Sequence, residues 1–198
     1  MKKKTLALSL IAIVLSLLAM GTAAMFLFYE EGRTTNVVTT SGIEMVLSET
    51  GDGTPVIEEG KFVGLMFTNV LPGQTVGKQP SVTNSGAEPF WLRVKIDITL
   101  QKAVAGVPTD MPLKIGDIDV IQLNGITQQW QKVGDWYYYT EKVTQDETVN
   151  VFDSVTFAPQ MGNEYQNSFG DIVITAEAIQ CKNNDIPAGG TITDVWPK

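Results

Sequence analysis

The chain has 198 residues, 14 basic against 22 acidic, with no histidine and one cysteine. Its net charge of −8 repels phosphate backbones and anionic lipid, so nucleic acid is not an expected partner. The absence of histidine removes the commonest general base, the Ser-His and Cys-His nucleophile pairs and every His-ligated zinc site. A structural or binding role without a cofactor is therefore expected rather than catalysis.

Lys2, Lys3 and Lys4 form a basic n-region, residues 6–20 an apolar h-region, and Thr22-Ala23-Ala24 a small-residue cleavage site. That order describes a secretory signal helix. Cleavage between Ala24 and Met25 leaves 174 residues and takes the net charge to −11 with the loss of the three lysines. This is enough for one domain with a sizeable core and too few for two. The expected division is a signal peptide at 1–24, an N-terminal segment at 25–42 and a globular domain at 43–198. Left uncleaved, residues 5–29 are 25 positions free of charged side chains, long enough to span a bilayer and anchor the body at the cell surface. Cys181 has no partner in the chain. It reads as a buried small hydrophobe or, as the leftover cysteine of a secreted protein, as a bridge between subunits.

Beyond the signal, short strands alternate with turn chemistry. Ile43, Met45 and Leu47 alternate with polar neighbours before Gly51-Asp52-Gly53 turns the chain. Residues 62–70 form a second apolar run, and Pro72-Gly73 suits the central positions of a type II turn. Residues 76–83 predict a third strand, with Pro80 demanding an edge or a bulge because it cannot donate to a ladder. The strongest period-2 pattern follows, with Phe90, Leu92, Val94, Ile96, Ile98 and Leu100 set against Trp91, Arg93, Lys95, Asp97 and Thr99. One face of that strand must be buried. Residues 106–119 predict a loop with one short helical turn. Strands are expected at 120–123, 127–133 and 136–143, with Gly134-Asp135 as a hairpin turn between the last two. Val149, Val151, Phe152, Val155 and Phe157 predict a strand pair or one bent strand, and Ile172, Ile174, Ala176 and Ala178 a final strand leading to Cys181. About eight strands at short spacing, with no helical period after residue 30, indicate an all-β antiparallel sandwich.

Few motifs rise above turn chemistry. Gly51-Asp52-Gly53 and Asn183-Asn184-Asp185 offer oxygen ligands but lack the spaced acids and closing glutamate of a calcium loop. The acid pairs Glu30-Glu31 and Glu58-Glu59 point to opposite faces of a strand and do not converge as glycosidase carboxylates do. Arg93 and Lys95 lie on the outward face of the strongest strand, where cross-strand pairing with an acid explains them as well as a specific contact does. Trp136, Tyr137, Tyr138 and Tyr139 are candidates for stacking a carbohydrate or another subunit. Alternation places two of these rings in the core and two on the surface.

Several motifs, in order, resemble those of the TasA/camelysin family of secreted biofilm matrix fibre proteins of Gram-positive bacteria. They are Gly21-Thr22-Ala23-Ala24 with Phe26 beyond, Thr40-Ser41-Gly42-Ile43, Asn69-Val70-Leu71-Pro72-Gly73, Val82-Thr83-Asn84-Ser85-Gly86, Trp91-Leu92-Arg93-Val94 and Glu177-Ala178-Ile179-Gln180. The resemblance implies a SipW-type signal peptidase acting during export, an antiparallel jelly-roll-like β-sandwich, and a head-to-tail homopolymer in which the freed N-terminal segment adds as a strand to the next subunit. Carried onto this chain, the donor segment is residues 25–40, with Met25, Phe26, Leu27, Phe28, Tyr29, Val37 and Val38 as its apolar positions. Other matrix proteins or glycans are the further partners implied. Camelysin-like members have been described as metallopeptidases, and the missing histidines argue against that activity here. The alternative from a different class is a cell-surface adhesion module using residues 136–139.

Overall fold

The alternation at residues 90–100 becomes half of the longest strand pair in the molecule. The computed structural model describes residues 27–28, 43–59 and 61–197. The first half of the described chain contributes β1 Leu27–Phe28, β2 Met45–Gly51, β3 Thr54–Glu58, β4 Lys61–Thr68, β5 Thr75–Asn84, β6 Phe90–Val104 and β7 Val107–Asp110. Short strands follow, β8 Lys114–Ile115, β9 Ile118–Asp119, β10 Ile121–Asn124, β11 Trp130–Val133, β12 Trp136–Tyr139, β13 Thr148–Asn150 and β14 Ser154–Phe157, before β15 Ser168–Gln180. The helical elements among the described residues are two single 3-10 turns, at Asn163–Tyr165 and Ile192–Val195. The expected signal helix and the cleavage pair Ala24 and Met25 lie outside the described residues.

Two main sheets result. One runs β11-β12-β6-β15-β1-β4-β3 with β7 also on β6, and the other runs β10-β14-β5-β13 with β2 also on β5. Their inner faces share one hydrophobic cluster. Phe90, Leu92 and Val94 of β6 and Ile172, Ile174 and Ala176 of β15 meet Val76 and Val82 of β5, Val149 of β13 and Val155 and Phe157 of β14. The described residues are therefore mostly β with a sandwich-like core, and among them the sheet pairs are antiparallel apart from β1 on β15. The expected core face of β6 holds: Phe90, Leu92, Val94 and Leu100 are buried, with Ile96 and Ile98 partly buried against the same cluster.

The turns follow their chemistry. Gly73 sits at φ 78° with the Gln74 N–H donating to the Leu71 carbonyl at 3.0 Å, as a type II turn requires. Gly134, at φ 61°, closes the β11–β12 hairpin, in which Val133 opposes Trp136.

Two expectations need correction. Pro80 lies inside β5, with β2 on one side, opposite Glu49. Its carbonyl accepts from Val151 on the other side, where β13 ends at Ser81 and β14 begins at Gly77. The missing N–H thus faces a seam where the ladder is already interrupted, which gives proline an interior place. Residues 106–119 contain no helical turn. They form β7, paired with the far end of β6, and the small β8–β9 hairpin.

Candidate functional site

Leu27 and Phe28 fall in the apolar N-terminal segment, and β1 occupies a consequential place. It pairs in parallel with β15, Leu27 beside Phe169, and antiparallel with β4, Leu27 opposite Thr68 and Phe28 opposite Phe67. Among the described residues, β4 and β3 join the rest of their sheet through β1 alone. Beneath lies a cavity of about 20 Å³ with an apolar lining that includes Leu65, Phe67, Val155 and Ile172. Gly170 is also part of that lining, and a Cβ there would run into the Thr99 carbonyl oxygen of β6. Lys78 also reaches the cavity, only 2% exposed and ion-paired with Glu49. Of the other candidate donor residues, Met25, Phe26, Tyr29, Val37 and Val38 lie outside the described residues.

The aromatic run forms β12, and its alternation is kept without leaving a pair of free rings. Tyr137 and Tyr139 face the main core, where Tyr139 packs on Trp130 with ring centroids 5.2 Å apart. Trp136 and Tyr138 face the other way, into a second cluster with Trp91, Cys181, Ile192, Val195 and Trp196. The C-terminal segment after β15 therefore covers the face that could have stacked a ligand. Arg93 fastens it: the guanidinium lies 4.2 Å from the Trp136 ring centroid and 4.3 Å from that of Trp196. Its Nε and Nη2 both donate to Glu177 Oε2, at 2.8 and 2.6 Å. Glu177 is the residue opposite Arg93 in the β6–β15 register, so the cross-strand explanation of Arg93 is the one observed. Lys95 pairs instead along its own strand with Asp97 at 2.8 Å, and that hydrogen bond raises its pKa. The indole Nε1 of Trp196 is buried and has no hydrogen-bond partner among the described residues.

The remaining candidates resolve into structural duties. Asp52 accepts from the Gly77 N–H at 2.7 Å, Asn184 donates to the Gln180 carbonyl, and Asp185 pairs with Lys142. Among the described residues no cluster of three or more His, Cys, Asp or Glu could hold a metal ion. Cys181 is a free thiol, 4% exposed, and burial above all pushes its pKa up to about 11. A cleft of about 500 Å³ opens beside β6 and β10, with Ile96, Ile98 and Tyr137 on its floor and Lys95, Lys132 and Asp135 among its charged lining.

The slot holding β1, the arginine between two tryptophans and the C-terminal cover were not anticipated from the sequence. A tryptophan beside an arginine on an outward strand face, together with Trp196 near the chain end, was the available signal for the cover. Comparisons with protein-family models, with curated proteins and with solved structures find no match to this chain.

Proposed function

We propose that this chain is a non-enzymatic structural subunit of an extracellular biofilm matrix, exported from a Gram-positive cell and cleaved after Ala24 by a signal peptidase. Its body is a jelly-roll-like sandwich, and subunits join head to tail when the N-terminal segment of one enters the sheet of the next. The observation that carries this reading is the position of β1 between β4 and β15. A strand held there by main-chain bonds needs no particular side-chain match to be exchanged for an identical strand from a neighbour. Such a contact is heterologous and does not close, so it propagates. The aromatic and ionic clusters outside the slot serve packing, which supports a structural rather than a catalytic role.

Electron microscopy and intact-mass measurement of the secreted protein test the reading. Fibres built from a chain beginning at Met25 are expected, and removal of residues 25–29 is expected to leave a folded body that no longer polymerises. Persistent monomer at high concentration, or fibres from the deletion variant, would overturn it. The cleft beside β6 favours one second reading, a surface adhesion module that binds glycan or protein. Full-length chain in the membrane fraction, together with glycan binding lost on Tyr137→Ala, would support that alternative.

A further inference from the structure

β6 runs unbroken for 15 residues, yet its edge away from β15 is covered only in separate stretches. Phe90 exchanges both bonds with Val143, β12 pairs at Arg93, Val94 and Lys95, and β7 pairs from Gln101 to Val104, with the Met111 N–H on the Leu100 carbonyl. Between Lys95 and Leu100 no strand among the described residues lies alongside. Phe90 and Leu100 show that even-numbered residues direct their main-chain groups at this edge. The Ile98 N–H and carbonyl therefore point there, with no main-chain partner among the described residues. The core opens at the same place. The inward face of β6 is buried at Phe90, Leu92 and Val94 and again at Leu100, but only partly at Ile96 and Ile98. Both observations fall on the cleft of about 500 Å³, which runs between β6 and β10, the end strand of the second sheet.

We infer that this cleft binds an extended, uncharged peptide segment of another protein, which adds to β6 opposite Ile98 and lays apolar side chains on Ile96, Ile98, Leu123 and Ile126. A polypeptide supplies Ile98 with both a donor and an acceptor, and its alternate positions supply apolar groups to the floor. A sugar would stack on an open ring, and the Tyr137 ring already carries the Lys132 ammonium 5.0 Å from its centroid. Length sets the size of the segment. The five steps from Lys95 to Leu100 span about 17 Å at the rise of a strand, room for about four residues.

Charge agrees with an uncharged occupant. Lys95 is closed by Asp97 and Lys114 by Asp119, which leaves Lys132 and Asp135, one charge of each sign, on the β11–β12 hairpin. A second copy of this chain fits poorly, because its exposed outer strands β3 and β7 carry Pro55 and Pro108, which have no N–H to give. The inference narrows the second reading of the cleft to a peptide. It is independent of strand exchange at β1 and holds whether or not the protein polymerises.

The probe is a pentapeptide with valine at its second and fourth positions and threonine elsewhere, acetylated and amidated. It is titrated into the monomeric fraction of the full protein, as recovered from producing cells, and followed by residue-resolved amide NMR. Saturable shifts are expected around the cleft, with the Ile98 amide proton moving downfield as it gains an acceptor. A residue opposite Ile98 shares its inward face, so the valine amides bond to β6 and the central threonine amide turns away. N-methylation of the valines is expected to weaken binding about fivefold to tenfold, and N-methylation of the central threonine to leave it unchanged. Ile98→Lys is expected to lose the binding. Should that variant not fold, Ile126→Lys on the facing wall is expected to do the same. No saturable binding at millimolar peptide, equal loss from both methylated peptides, or shifts confined to Phe67 and Phe169 around β1 would each overturn the inference. So would Ile98 shifts produced by a neutral oligosaccharide in place of the peptide, or by raising the protein concentration alone. Fibre formation enters none of these readouts, so a failure of the proposed function is seen separately.

Discussion

Replacing Arg93 with methionine keeps a stem of similar reach and removes the charge that fastens the C-terminal cover. Two interactions with tryptophan rings are lost, at 4.2 and 4.3 Å from the ring centroids, each worth about 0.5–1 kcal/mol at an exposed site and about 2 when desolvated. The bidentate contact with Glu177 is lost as well. Glu177 keeps 28% of its side chain exposed, so water recovers part of its solvation and the loss falls short of the ~3–5 kcal/mol of a fully buried pair. Together these amount to about 2–4 kcal/mol, taken mainly from docking of the cover rather than from the main core. Cys181, in the same cluster as Trp196, reports the opening. Its modification by a chromogenic thiol reagent at pH 8, in the regime where reclosing is fast, tracks the population of the open form. The rate is expected to rise about 30-fold to several hundred-fold, at one decade per 1.4 kcal/mol. Arg93→Lys should rescue little, because an ammonium cannot reproduce the planar fork and its stacking. An unchanged rate in a variant with wild-type circular dichroism would refute the argument.

Val94 is completely buried on the core face of β6, so Val94→Asp should unfold the domain. The several kcal/mol that an unpaired buried carboxylate costs compare with a typical total of about 5–15. An unchanged melting temperature would show the face to be open. Lys78→Met leaves Glu49 without its ammonium and is expected to cost about 3–5 kcal/mol in urea unfolding, whereas Lys78→Met with Glu49→Leu should cost much less. Equal losses in the two variants would count against the pair. Burial raises the pKa of Cys181, Tyr139 and Tyr165, with Glu141 and Glu147 adding at Tyr139 and Glu164 at Tyr165. Each group binds its proton more tightly folded than unfolded. For Cys181 that stability is complete below the ordinary thiol value of 9.0 and is lost as pH rises toward about 11, and for the two tyrosines it is complete below their ordinary value of 10.0 and is lost above it. Thermal unfolding between pH 8 and 11 should show this decline, first through Cys181, and Cys181→Ala should remove its early part.

What the sequence reveals about this fold depends on how local the cause is. Phe90 to Leu100 alternates because one side of a single strand meets the core, and Pro72-Gly73 and Gly134-Asp135 turn because their own dihedral preferences demand it. Val107 to Asp110 carries no such mark, since every residue of β7 is exposed and its pairing depends on β6 running past Leu100. Pro80 misleads for a related reason: its acceptability is set by Val151, far along the chain, where the opposing ladder breaks. For the site, an apolar N-terminal segment was legible as something that must be covered. Its neighbours were not, because β4 and β15 acquire facing edges only after the whole sheet is assembled. Likewise, the parity of residues 136–139 was readable, whereas the cover over Trp136 and Tyr138 arrives from residues 192–196.

The pairing of Leu27 with Phe169 also sets an order of events during synthesis. The N-terminal segment leaves the ribosome first, yet β15 is among the last strands to be made. At elongation rates of about 5–20 residues per second, many seconds separate the two. For that interval the segment has no β15 to dock against, and the loop that must finally close is among the longest in the chain, which makes this pairing a late folding step. The pairing of Leu27 with Phe169 thus waits until nearly the whole of the described chain has been made.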